Sequence, residues 1–169
     1  TFHKDIGKDG WTLLDGYAAF TTGNSAAFGT DPTSSVWTYG SGLVNQGDIV
    51  FYAFTSIEGF SKFGEYTGNG NNSGTFVYTG FKPALVITRG RQGTSWYMFD
   101  NKRNPYNPVD IELNANNNQS DSGTGTDWCD FLSNGFKLRT SNSAVNYHNN
   151  YKYIYLAFAE IPFKYARGI

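Results

Sequence analysis

Ala84-Leu85-Val86-Ile87-Thr88-Arg89 lies between Pro83 and Gly90 and is the stretch on which the fold is read. In an extended chain Leu85 and Ile87 face one way while Val86 and Thr88 face the other, so both faces of this strand need cover. A central strand of a β-sandwich has that pattern. Further β-branched and aromatic runs bounded by Gly, Asn and Pro mark strands at residues 36–39, 49–54, 76–81, 95–100, 136–140 and 151–159. No window sustains a 3.6-residue apolar period for longer than about ten residues, so helix is expected only as short pieces, at 109–114 after Pro108 and more weakly at 10–17. The expected fold is an all-β sandwich.

Composition supports this reading. Of 169 residues, 39% are hydrophobic, 18% aromatic and 16% charged, with 20 Gly, so aromatics must supply much of the buried area. A formal net charge of -1 provides no basic field for phosphates or anionic lipid, which argues against nucleic-acid and membrane partners. No apolar run approaches the roughly 20 residues that span a bilayer, and residues 1–10 lack the blocks of a signal peptide, so synthesis in the cytoplasm is expected. Cys129 is the only cysteine, which rules out an internal disulfide; its neighbours Asp127 and Asp130 should raise the thiol pKa and leave it inert.

Two stretches resemble each other. Val36-Trp37-Thr38-Tyr39-Gly40 leads through Val44-Asn45 to Ile49-Val50-Phe51-Tyr52-Ala53-Phe54, and Phe136-Lys137-Leu138-Arg139-Thr140 leads through Val145-Asn146 to Tyr153-Ile154-Tyr155-Leu156-Ala157-Phe158. The shared Val-Asn and Ala-Phe landmarks predict one hairpin used twice, hence about one and a half repeats. The division expected is a partial repeat over 1–58, a Gly- and Asn-rich connecting loop over 59–75 and a full repeat over 76–169, packed as one compact domain. A second polar loop is expected at 114–126.

Phe60-Ser61-Lys62-Phe63-Gly64-Glu65-Tyr66-Thr67-Gly68-Asn69-Gly70, then Phe76-Val77-Tyr78-Thr79-Gly80-Phe81-Lys82-Pro83, Trp96-Tyr97-Met98-Phe99-Asp100-Asn101-Lys102-Arg103-Asn104-Pro105-Tyr106-Asn107-Pro108 and Asp130-Phe131-Leu132-Ser133-Asn134-Gly135 carry a family likeness. They resemble a repeat module of virion structural and fibre-like proteins of tailed phages, marine ones in particular. The likeness covers most of residues 60–163. It implies a lectin-like, concanavalin-like jelly roll, a place in the virion after assembly in the host cytoplasm, other virion proteins as partners, and a homo-oligomer. An exposed fibre or appendage domain that binds host-surface carbohydrate is the leading expectation, a capsid decoration or cement domain the alternative, and a glycan-cleaving enzyme the remotest.

Chemistry-bearing residues are sparse. Asp110 and Glu112 have the i, i+2 spacing of paired glycosidase carboxylates but lack a third acid, so no catalytic residue is assigned. Asp121, Asp127 and Asp130 are oxygen donors from which a calcium site could be assembled, yet their spacing matches no EF-hand loop, and the expectation is solvated turns with no cofactor. His3 and His148 are read as surface residues. In the 101–108 loop two readings stand: Arg103 locks the loop on Asp100, or Arg103, Asn104, Tyr106 and Asn107 face a sugar or a protein partner. Trp128 is a further contact candidate, with membership of the core as its alternative.

Overall fold

The computed structural model describes residues 2–23, 29–38, 40, 51–121, 123, 125–148 and 150–161. Among these the chain forms no helix and eight strands: β1 (Ser61–Thr67), β2 (Phe76–Tyr78), β3 (Pro83–Gly90), β4 (Tyr97–Asp100), β5 (Leu113–Asn114), β6 (Cys129–Leu132), β7 (Gly135–Leu138) and β8 (Lys152–Ala159). All pair antiparallel, in a five-stranded sheet ordered β1-β8-β3-β4-β5 and a three-stranded sheet ordered β2-β7-β6. The all-β sandwich read from residues 84–89 is the observed fold. β3 is central, between β8 and β4, and Val86, Thr88 and Arg89 are each at most 1% exposed.

Alternation along the strands sends Tyr66, Val86, Phe99, Tyr153, Tyr155 and Ala157 to the inner face of the larger sheet. There they pack against Val77, Cys129, Phe131, Phe136 and Leu138 of the smaller one. Each large side chain so buried contributes roughly 1.5–3 kcal/mol. Tyr66 and Tyr153 stack at 5.1 Å, and Phe136 meets Tyr66 and Tyr155 edge-on at 6.1 and 5.6 Å. Their polar tips find internal partners: the Tyr66 hydroxyl donates to the Val145 carbonyl at 2.8 Å, and that of Tyr153 donates to the Ser143 carbonyl at 2.7 Å.

The outer face of the larger sheet is covered in part by a strap, residues 10–21, closed by a Trp11–Thr21 bridge. Arg89 anchors it. Its guanidinium donates to the Leu13 and Ala18 carbonyls, both at 2.6 Å, and lies between the rings of Phe20 and Trp96 at 5.7 and 5.2 Å. Gly93 adopts φ +95°, and a Cβ there would lie 2.5 Å from the Tyr17 carbonyl oxygen, so the strap crosses the β3–β4 turn only over glycine.

Four expectations are corrected. Residues 10–17 are not helical, because the Leu13 and Ala18 carbonyls bond to Arg89 rather than to amides one turn on. Residues 109–114 are extended too. The Val109 amide donates to the Cys129 carbonyl at 2.7 Å, and Leu113–Asn114 pair with β4, so this segment passes from the edge of the small sheet to the edge of the large one. The period-two apolar alternation of Val109, Ile111 and Leu113, two of them β-branched, outweighs the proline start. Residues 59–75 are no mere connector, since β1 lies within them and pairs with β8 at seven positions. Finally, β7 and β8 belong to different sheets, so residues 136–158 are not a hairpin. The described parts of its supposed counterpart, 36–38 and 51–54, contain no strand, while Tyr39, Val44, Asn45, Ile49 and Val50 lie outside the described residues.

Candidate functional site

The 101–108 loop is tied down by its own polar side chains. Asp100 accepts the amides of Lys102 and Arg103, each at 2.9 Å, and takes the Arg103 guanidinium on its second oxygen; Arg103 Nε also lies 3.3 Å from Asp121. Asn104 donates to Asp110 at 2.6 Å and accepts the Ile111 amide at 2.8 Å. The Asn107 amide both accepts from the Phe131 N–H at 2.9 Å and donates to its carbonyl at 3.0 Å, so it caps the β6 edge as a strand residue would. Arg103, Asn104 and Asn107 therefore hold the loop. Tyr106 is left as the exposed tip, 83% accessible on a fixed frame.

Trp128 is corrected to a core residue. It is 3% exposed and lies 5.5 Å from the ring of Tyr97 and 5.8 Å from that of Phe99. One aromatic strip of the small sheet's outward face was not marked by any motif in the sequence. Phe76 and Tyr78 alternate with the buried Val77 on β2 and are 43% and 64% exposed. They flank one edge of a sheet whose other edge carries the Asn107 cap and hence the Tyr106 loop. Period-two alternation was visible there, but with aromatics at all but one position it could not say which face was buried.

The carboxylates are separated by their partners. Asp110 is held by Asn104, Asp121 faces Arg103, and Asp130 lies 3.6 Å from Arg139. Asp127 is exposed. Among the described residues no three His, Cys, Asp or Glu side chains gather as a metal site. Cys129 is fully buried, and burial first, then Asp130, pushes its thiol far above the usual range. His3 is not a surface residue: it is 7% exposed and burial lowers its pKa, whereas His148 is exposed and stacks on Tyr147 at 4.1 Å.

Glu112 is turned toward Trp128 at the seam between the sheets. Burial raises its carboxyl pKa and the Trp128 indole N–H opposes the rise, but Glu112 Oε2 and Trp128 Nε1 each lack a hydrogen bond of normal geometry. A raised folded-state pKa favours the neutral acid, so its stabilising share is present below the ordinary glutamate value of 4.5 and is lost as pH rises through the folded one. Glu112→Gln should therefore be more stable than the parent at pH 7, with the advantage fading toward pH 4. Urea denaturation at the two pH values measures this; a variant less stable than the parent at pH 7 would contradict it.

Fold and surface together define the class: an antiparallel β-sandwich whose polar side chains brace its loops and whose aromatic residues reach solvent on the small sheet and the 101–108 loop. Residues 1–162 match the family described as a domain of unknown function, DUF7483, and the chain belongs to that family. No curated protein and no solved structure matches it.

Proposed function

We propose that this chain is a non-enzymatic structural domain of a phage virion, an exposed fibre or appendage module that recognises host-surface carbohydrate. The likeness of residues 60–163 to phage virion modules supports the virion setting, and the five-plus-three sandwich accords with a lectin-like jelly roll. The observation that carries recognition is Tyr106, an aromatic held out at 83% exposure by a loop that Asn104 and Asn107 fasten to the Ile111 and Phe131 backbone. A rigidly presented phenol offers an apolar ring face to a sugar and a hydroxyl to its oxygens at small entropic cost. Asp110, held by Asn104, and Glu112, turned toward Trp128, make no acid–base pair in this reading, and no cofactor takes part.

Binding of the purified domain to a panel of bacterial surface polysaccharides tests this. Tyr106→Ala should keep the parent's stability and lose about 2 kcal/mol of affinity, close to thirtyfold. Unchanged binding by a fully folded variant would remove this loop from the contact surface.

The capsid decoration reading has its own observation. On the outer face of the larger sheet Phe63 and Phe158 lie 5.8 Å apart, with Phe60 6.3 Å from Phe158 and Phe54 64% exposed beside them. An apolar cluster of this kind suits a symmetric protein contact, as a homo-oligomer or a shell neighbour would make. A map of the intact particle decides: density on the head shell overturns the fibre reading, and density at the tail overturns the decoration one.

A further inference from the structure

The β1 edge of the larger sheet carries a cleft. Lys62 is on the inner face of β1 yet exposed, so the small sheet does not cover this corner. A cavity of about 670 Å³ opens here, bounded by Lys4 and Asp5 on one side and by Ser56, Lys62, Gly64 and Tyr155 on the other. That volume suits a small ligand. Its floor exists because residue 64 is glycine: a Cβ there would lie 2.9–3.1 Å from Cε1, Cζ and the hydroxyl oxygen of Tyr155.

Tyr155 is 96% buried, being 4% exposed, and its hydroxyl has no partner among the described residues although it lines the cavity. Ser56 Oγ accepts the Phe63 amide at 3.0 Å, which leaves its O–H to donate. Lys62 makes no ion pair among the described residues. The acids nearby are already neutralised: Glu65 by Arg91 at 2.8 Å and Lys152 at 2.6 Å, and Asp5 by Lys4 at 2.5 Å. What remains open is the Lys62 ammonium, the Tyr155 and Ser56 hydroxyl donors and, as an acceptor, Asp5 Oδ2, a set that calls for a ligand with one negative charge and several hydroxyls.

We infer that this cleft binds a carboxylate-bearing sugar unit, a uronic acid of a polysaccharide. Lys62 takes the carboxylate, and Tyr155 and Ser56 donate to ring or hydroxyl oxygens. The choice of a sugar rests on the glycan-recognition reading above, while the site itself is separate from the Tyr106 loop. NMR-monitored titration of the intact chain with D-glucuronate, D-glucose and acetate tests it. Glucuronate should bind at least tenfold more tightly than either of the others. Lys62→Gln should weaken glucuronate at least tenfold, and Tyr155→Phe, which keeps the buried ring, at least threefold. Binding of acetate as tight as that of glucuronate, no preference over glucose, or indifference to Lys62→Gln would each overturn the assignment. Tyr106→Ala should leave glucuronate binding unchanged, so loss of the cleft result and loss of the polysaccharide result are read separately.

Discussion

Arg89→Ala is expected to lower the unfolding free energy by about 4 kcal/mol, from two charge-assisted hydrogen bonds lost and the space left behind. Arg89 is fully buried on the outer face, and its guanidinium is what the strap carbonyls of Leu13 and Ala18 are bound to. With alanine there, the rings of Phe20 and Trp96 lose the cation between them, and a donor disappears from each carbonyl. Hydrogen exchange localises the effect. The Phe20 amide, bonded to the Arg91 carbonyl at 2.9 Å, and the Thr21 amide, bonded to that of Trp11 at 2.9 Å, should lose protection before the strands do. Arg89→Lys should recover only part of the loss, since an ammonium lacks the planar fork that spans both carbonyls. A change below 1 kcal/mol for Arg89→Ala, with strap amides still protected, would show that the strap is held by its apolar contacts alone.

Asn146→Ala should cost about 3 kcal/mol, roughly one for each hydrogen bond that no replacement satisfies. The Asn146 side chain is fully buried and ties together two loops at one end of the sandwich. Its Nδ2 faces the Asn69 Oδ1 at 3.0 Å and the carbonyls of Asn71 and Thr140 at 2.9 and 2.7 Å, while its Oδ1 accepts the Asn69 amide at 2.9 Å. Asn146→Asp should be at least as damaging at pH 7, because a carboxylate would face three oxygens with no proton to give. Guanidinium denaturation measures both, and the Asn69 and Gly70 amides should exchange faster in each variant. Equal stability of Asn146→Asp and the parent would mean that the loops do not depend on this donor.

How far the sequence is legible differs by element. Residues 84–89 announce a strand covered on both faces, and β3 is that strand at the centre of the sheet, since period-two alternation of apolar groups is a local property. The Arg103–Asp100 pair is equally local, at i, i+3. Ser61–Thr67 hid its strand because its inner face reads Lys62, Gly64, Tyr66, and the glycine is there for Tyr155, ninety-one positions away in sequence, by subtraction of 64 from 155. Val145-Asn146 stood out as a landmark, but not as a hub, because its partners come from residues 69–71, as many as 77 positions away.

The candidate site follows the same division. Asn104, Asn107 and Trp128 are residue types that suit a sugar contact and suit a brace or a core equally well. Their composition and spacing therefore establish only that this region is rich in amides and aromatics. What the chain determines by itself is which segments extend, where charge is absent and that aromatics must fill the interior. Only the tertiary structure turns Asn107 to the Phe131 backbone 24 residues on, buries Trp128 against Tyr97 and Phe99, and leaves Tyr106 outside. The physical reason is that a side chain's alternation along the strand is decided by its immediate neighbours, whereas its partner is decided by whichever backbone the two sheets bring within hydrogen-bonding distance when they close on one core.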